Sequence, residues 1–381
     1  MKKGAKLLIT PEMIKPSSKE LEVIGTINPA AARGRDGKVI LYVRVIERLK
    51  VLEDKKYFYS PRMVGEKDYE IKIDKFPREE VATNSEFDII FHDSTKRLTF
   101  ISHLRRVVMD ESGLNILSID KKPTFYGISS DSELGVEDPR IVEIEGKYVM
   151  TYVSLSRKEN ISTSIAFSDD LINWERKGII FGEQDKDVVL FPEKIKGWYI
   201  AFDRPEGNFQ FTPPHIWIAQ SDDLLCWGKL KSISISKKED KDYGRIGPGC
   251  PPVKTNKGWL LIYHSVRSED NTQKEEDKLY IYSGSAALFD LKNPIKLLAK
   301  SEPIILPDQE YELELYQKKR VVFPTGIVVD KNGKDLLIYS GGRDVVTSVR
   351  KISMEKIMDA LKEVNKNNKK EKSKSKPKKK K

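Results

Sequence analysis

One pattern recurs along this chain often enough to limit what it can fold into. A leading residue, a proline, a short strand, a polar turn carrying glycine and a long apolar strand make up NPAAARGRDGKVILYVRV (28–45). The same form returns as DPRIVEIEGKYVMTYVS (138–154), FPEKIKGWYIAFDRP (191–205), PPVKTNKGWLLIYHSV (251–266) and FPTGIVVDKNGKDLLIYSG (323–341). Each reads as a β-hairpin, because a glycine turn separates runs of β-branched and aromatic residues. The leading proline suits the first residue of a strand, where a missing N–H costs little. Between hairpins, SIAFSDDLINWERKG (164–178) and IWIAQSDDLLCWGKL (216–230) share an apolar strand, Ser-Asp-Asp-Leu and a tryptophan. Long helical periodicity is absent until KISMEKIMDALKEV (351–364), which predicts one amphipathic terminal helix.

Five such hairpins with further strands between them predict an all-β chain, a five-bladed β-propeller with a short C-terminal helix. A sandwich of similar strand count is the competing architecture. The gap between Pro29 and Pro139 has room for an insertion, with its own hairpin at FDIIFHDSTKRLTFISHLRRVVM (87–109). Residues 1–365 form one domain in this reading, and 366–381 a Lys-rich tail.

Composition bounds the function classes. The net charge of +10 over 381 residues looks like a nucleic-acid signal, but Lys366–Lys381 holds ten lysines against one glutamate. The rest of the chain is near neutrality. Such a low-complexity tail repels itself and is expected to be disordered; it solubilises, or touches polyanions weakly by counterion release. No apolar run reaches the ~18 residues of a membrane span, and the N-terminus lacks the apolar core of a signal peptide. Two cysteines, Cys226 and Cys250, make no disulfide framework and fit the cytoplasm. The histidines have no metal-ligand spacing, so neither metal nor cofactor is expected.

Hairpins enter and leave at the same end. If the first strand of each lines a central channel, the residues around each proline ring one mouth. That gathers Asn28 with Arg44, Asp138 with Tyr152 and Ser154, and Asp187 with Asp203 and Arg204. It also gathers Gly249 with Tyr263 and His264, and Tyr339 with Asp344. Aspartate and asparagine suit a hydroxyl-rich ligand, and arginine, lysine and histidine suit an anion such as phosphate. Asp138, beside Glu137 in an apolar hairpin that favours a raised pKa, is the best proton donor.

Four ordered blocks carry a resemblance. GVEDPRI, KDVVLFPEKIKG (186–197), RIGPGCPPVKTNKGWLLIYHSV (245–266) and VVFPTGIVVD (321–330) together resemble glycoside hydrolase family 130, from about Asn28 to Lys351. The resemblance implies β-mannoside phosphorolysis with inversion, or in a smaller set β-mannoside hydrolysis, on a five-bladed propeller. It implies that Asp138 is the catalytic acid, protonating the glycosidic oxygen through a mannose hydroxyl, while inorganic phosphate attacks from the opposite face. Phosphate is then a co-substrate and a manno-oligosaccharide the partner. An inverting hydrolase instead needs a second carboxylate about 6.5–9.5 Å from the acid. Cations favour phosphorolysis: Arg44, Lys186 and His264 fall where the family's phosphate-facing residues do, with Arg105 and Arg204 as further candidates. Asn28, Glu137, Asp187 and Asp344 are the expected sugar-binding residues. The chain departs from the family in reading Tyr263-His264-Ser265 for YHG and YSGGRD (339–344) for YYGAAD, which makes Arg343 unusual.

Plainer readings stand beside these. Asp138 pairs with Arg140 or caps a turn; Lys186–Asp187 is a surface ion pair; His264 is a satisfied core histidine; Tyr152, Trp198, Trp259 and Tyr263 pack; the Ser-Asp-Asp-Leu turns are structural. A hydrolase of the same family and a non-catalytic glycan-binding propeller are the rival functions. Linkage, acceptor sugar and homo-oligomerisation stay open.

Overall fold

The computed structural model describes residues 4–207, 211–236, 240, 244–269, 279–314 and 319–364. The Lys-rich tail therefore lies outside the described residues. The described residues are mostly β, with one short α-helix among them, Met354–Ala360. No described helix is long and apolar enough to cross a membrane.

Every repeat contributes to an antiparallel pair, although in the third the first strand lies ahead of the leading Phe191 and Pro192. Leu21–Arg33 pairs with Val39–Leu49, Gly135–Ile144 with Lys147–Ser156, and Asp185–Leu190 with Tyr199–Pro205. Arg245–Pro248 and Val253–Thr255 both pair with Gly258–Glu269, and Lys319–Val329 pairs with Asp335–Gly342. Two more strands extend each pair outward, such as Asn160–Ser168 and Glu175–Phe181 in the second unit. In the fifth unit the outermost strand is the N-terminal Ala5–Ile9, which pairs with Val346–Ser353 and so joins the two ends of the chain. Short parallel contacts link neighbouring units, Gly135 against Ser102 and Tyr280–Tyr282 against Lys319–Val321.

The apolar faces pack between units. One cluster joins Leu104 and Tyr42 of the first unit to Ile141 and Met150 of the second. Further clusters join the second unit to the third (Val149, Leu190), the third to the fourth (Phe202, Trp259) and the fourth to the fifth (Leu260, Ile338). The last brings the fifth unit back to the first, through Tyr339 and Leu41. Strand alternation explains this arrangement: each sheet presents one set of side chains to the unit before it and the other set to the unit after.

Three differences from the sequence reading have physical causes. Pro29, Pro139 and Pro324 lie inside their strands, beside register shifts at Ile27/Ala30, Glu137/Arg140 and Pro324/Gly326. The bulge interrupts the ladder at or beside each proline, so the missing N–H is tolerated mid-strand. The terminal helix is cut to Met354–Ala360 because Val346–Ser353 extends the ladder and Lys362–Glu363 pairs with Leu297–Lys300. The hairpin expected over 87–109 divides: Asp88–Phe91 pairs with Lys96–Leu98, while Phe100–Met109 joins the main sheet against Val39–Leu49. The Ser-Asp-Asp-Leu turns are structural. In both, serine Oγ accepts from the leucine N–H at 2.9 Å.

Candidate functional site

The bulges aim the site. Asn28, Asp138 and Asp187 all have left-handed backbone, with φ of 47°, 46° and 56°. Each sits at the register shift of its unit's first strand. The bulge turns a side chain out of the alternation, and the positive φ is a cost that the surrounding pairing must support. All three side chains enter one cavity of about 610 Å³. The second strands supply Arg44, Arg204 and His264, cross-strand partners of Ile27, Lys186 and Gly247. Lys186, Arg245, Tyr282, Phe323, Arg343 and Asp344 complete much of the wall.

One corner is an acid pair. Arg44 donates to Asp138 Oδ1 at 3.0 Å and to Glu137 Oε1 at 2.5 Å, and Asn28 Nδ2 donates to Asp138 Oδ1 at 2.9 Å. Ser102 Oγ donates to Glu137 at 3.2 Å. Burial raises both carboxyls. For Asp138 the Arg44 and Arg140 charges and the Asn28 hydrogen bond outweigh it, holding the group below its usual range. For Glu137 burial prevails, reinforced by the Asp138 charge, and the group lies above its usual range.

The facing wall is cationic. Arg204 Nη1 lies 3.0 Å from Asp187 Oδ2 and 3.1 Å from His264 Nε2, and its Nη2 donates to Glu206 at 3.0 Å. Burial raises Asp187, but the adjacent Arg204 holds it ionised, below the ordinary range. The Lys186 ammonium has no hydrogen bond or ion pair among the described residues and is open to a ligand. Arg140, buried, ties the corners together. Its Nε donates to the Gly249 carbonyl at 2.6 Å, its Nη1 to the Asp138 carbonyl at 3.0 Å, and its Nη2 stands 3.6 Å from Asp187.

Residues 111–363 match the family described as beta-1,4-mannooligosaccharide phosphorylase. The chain belongs to glycoside hydrolase family 130. A 1,2-beta-oligomannan phosphorylase of Thermoanaerobacter sp. (strain X514) is 37% identical over 68% of this chain and 81% of that protein. A beta-1,2-mannobiose phosphorylase of Listeria innocua is 31% identical over 88% of this chain and 91% of its own length. The solved structure of a beta-1,2-mannobiose phosphorylase from Listeria innocua, in complex with β-1,2-mannobiose, superposes with a TM-score of 0.78 at 30% identity. It covers 93% of this chain and 96% of that one.

Set in this family 130 fold, Asn28, Arg44, Asp138, Lys186, Asp187, Arg204, His264 and Asp344 all line the cavity. Glu137 stands just behind it, on Arg44. Arg105 does not join them. It pairs across the ladder with Val43, one residue from the Arg44–Leu104 pair, so it projects through the opposite face. There it donates to the carbonyls of Lys121 and Lys15. Two electrostatic expectations are also corrected. Asp138 sits below its usual pKa rather than above it, because Arg44 rather than Arg140 grips its carboxylate. His264 brings no charge: burial pushes it down to about 3, and the neutral ring lies against Arg204 and Phe323. Tyr152 and Tyr263 pack, as the plainer reading has it, and Tyr339, expected near the mouth, also alternates into a packing cluster.

Sequence reasoning missed Arg245, Tyr282, Phe323 and Phe87 as cavity residues. Arg245 and Phe323 stand within the quoted family blocks, at strand positions whose parity would have marked them. Phe87 comes from the insertion and had no such signal.

Proposed function

We propose that this chain is an inverting phosphorylase that cleaves a β-mannosidic bond with inorganic phosphate. One observation carries the reading: one cavity is lined both by the carboxylate of Asp138, with Glu137 behind it on Arg44, and by the cations Lys186 and Arg204. We also infer that the five units form the blades of a propeller. The ring of packing clusters, returning from the fifth unit to the first, supports this.

In the proposed step a phosphate oxygen bonds to C1 of the terminal mannose on the face opposite the leaving oxygen. The C1–O bond breaks, its electron pair stays on the leaving oxygen, and that oxygen takes the proton of Asp138, relayed by a mannose hydroxyl. The products are α-mannose 1-phosphate and a saccharide one residue shorter. Lys186 and Arg204 hold the phosphate charge, with Arg204 oriented by Asp187 and the neutral His264. Asn28, Asp187 and Asp344 supply acceptors and donors for hydroxyls, and Glu137, behind the wall, holds Arg44. The same charges explain how an aspartate held low acquires its proton. A bound phosphate adds negative charge near Asp138 and offsets the cations, which raises the carboxyl pKa. Loading of phosphate thus arms the acid.

β-1,2-Linked mannosides are the first substrates to try, since the relatives above 30% identity carry that linkage in their names. The two cysteines are unpaired, which suits a cytoplasmic enzyme. Incubating β-1,2-mannobiose with the protein, with and without inorganic phosphate, tests the reading. Phosphate-dependent release of mannose 1-phosphate is expected. Free mannose at equal rate in both arms would make it a hydrolase, and no cleavage in either arm, with mannobiose still bound, a glycan-binding protein.

A further inference from the structure

The cavity has a third wall that the acid corner and the cations do not use. Along Val39–Leu49, Arg44, Ile46 and Arg48 are part-exposed and alternate with buried neighbours, so they share one face. From Arg44, the partner of Asp138, to Arg48 this row runs about 13 Å at ~3.3 Å per residue. That length takes the row beyond a single sugar ring. At its far end the insertion reaches in with Glu86 and Phe87, both lining the same cavity.

Phe87 is 43% exposed, so part of its ring is available to a ligand in the cavity it lines. It is also held firmly. Its N–H donates to Ser85 Oγ at 3.1 Å and its carbonyl accepts from the Thr99 N–H at 3.1 Å. Thr99 Oγ1 donates to the Glu86 carbonyl at 2.6 Å, and the ring meets Phe100 edge-on at 6.4 Å. Beside it Arg48 donates to Glu86 Oε2 at 2.6 Å, while Glu22 fixes the other edge of the guanidinium at 2.9 Å. A fixed aromatic face next to a fixed carboxylate and guanidinium is the equipment for one pyranose ring: apolar C–H face on the aromatic, hydroxyls on the ion pair.

We propose that Phe87, with the Arg48–Glu86 pair, forms the acceptor-side subsite and sets which saccharide leaves the enzyme. The inference rests on the phosphorolytic reading above. It assigns acceptor recognition to the insertion, apart from the bulged strands that hold the acid and phosphate. Specificity for chain length is then separable from the chemistry.

Kinetics in the synthetic direction test it, with α-mannose 1-phosphate as donor and mannose or β-1,2-mannobiose as acceptor, on wild type, Phe87→Ala, Phe87→Tyr and Glu86→Gln. Phe87→Ala is expected to raise the acceptor KM about tenfold, the value of one aromatic contact. It should leave the KM for α-mannose 1-phosphate within about twofold and the melting temperature unchanged, since the side chain is exposed. Phe87→Tyr, which keeps the flat face, should restore the acceptor KM to within about threefold of wild type, and Glu86→Gln should raise it less than Phe87→Ala does. An acceptor KM unmoved by Phe87→Ala, or an equal rise for donor and acceptor, overturns the subsite while leaving the phosphorylase intact. Wild-type protein that transfers mannose to no acceptor overturns the phosphorolytic reading itself.

Discussion

The acid corner and the cation wall are built by the same backbone device and do opposite things. In each, a bulge puts a left-handed aspartate, Asp138 or Asp187, at the mouth of the cavity. Around Asp138 two carboxylates share one guanidinium, Arg44. Around Asp187 the guanidinium groups of both Arg204 and Arg140 stand within 3.6 Å, and Lys186 adds open charge nearby. On the phosphorolytic reading, a repeated turn places the side chain, while the residues on the neighbouring strands decide whether it is a proton carrier or a strut. Asp138 has Asn28 and Arg44 reaching it from another unit. Asp187 is gripped mostly within its own, by Arg204 on the next strand.

If that division is right, Asp138→Asn removes the proton and little else. It should cut kcat by roughly 10²–10⁴, with mannobiose affinity and melting temperature near wild type. An equally large loss from Asp187→Asn with phosphate KM unchanged would erase the distinction between the corners. Lys186→Met comes next. It should raise the phosphate KM by about 10- to 100-fold, one charge-assisted contact, and leave the mannoside KM alone. A change in mannoside KM instead would move Lys186 to the sugar side.

Asn28→Gly sharpens the comparison at smaller cost, since glycine accepts φ near 47° without strain. Losing the Asn28 hydrogen bond removes one of the influences that lower Asp138. Its pKa should rise, and the alkaline limb of kcat/KM should move up by about one unit or less. A downward shift would contradict the assignment of the acid. The smallest effect concerns stability behind the cation wall. Burial and the neighbouring Asp185 push Asp203 up to about 9 from 3.8. The folded chain thus carries an extra proton between those values, and folding weakens as pH rises through that window. Asp203→Asn should lose less melting temperature than wild type between pH 6 and pH 9, by roughly 2–4 °C. Parallel curves would show that the two carboxyls do not share a proton.

Much of this was legible in the amino-acid sequence, for a physical reason: a repeated hairpin forces its equivalent positions to one end. Asn28, Asp138 and Asp187 could be gathered without knowing a single contact. What failed depended on parity or on distant packing. Arg105 sits one residue from a cavity-facing position, and a one-residue step on a strand reverses the face. Proline at 29, 139 and 324 marked a bulge rather than a strand start, a difference the local sequence does not show. The direction of the Asp138 shift needed Arg44, 94 residues away in the chain. Phe87 needed the insertion folded back against Thr99 and Phe100.

The anomeric configuration of the first product tests the central claim most directly, because it reports whether phosphate and acid work from opposite sides of the sugar. Proton and phosphorus NMR of β-1,2-mannobiose with phosphate should show the α-anomer as the one form of mannose 1-phosphate, matched mole for mole by the free mannose that leaves. The β-anomer, or free mannose with phosphate unconsumed, would contradict the account.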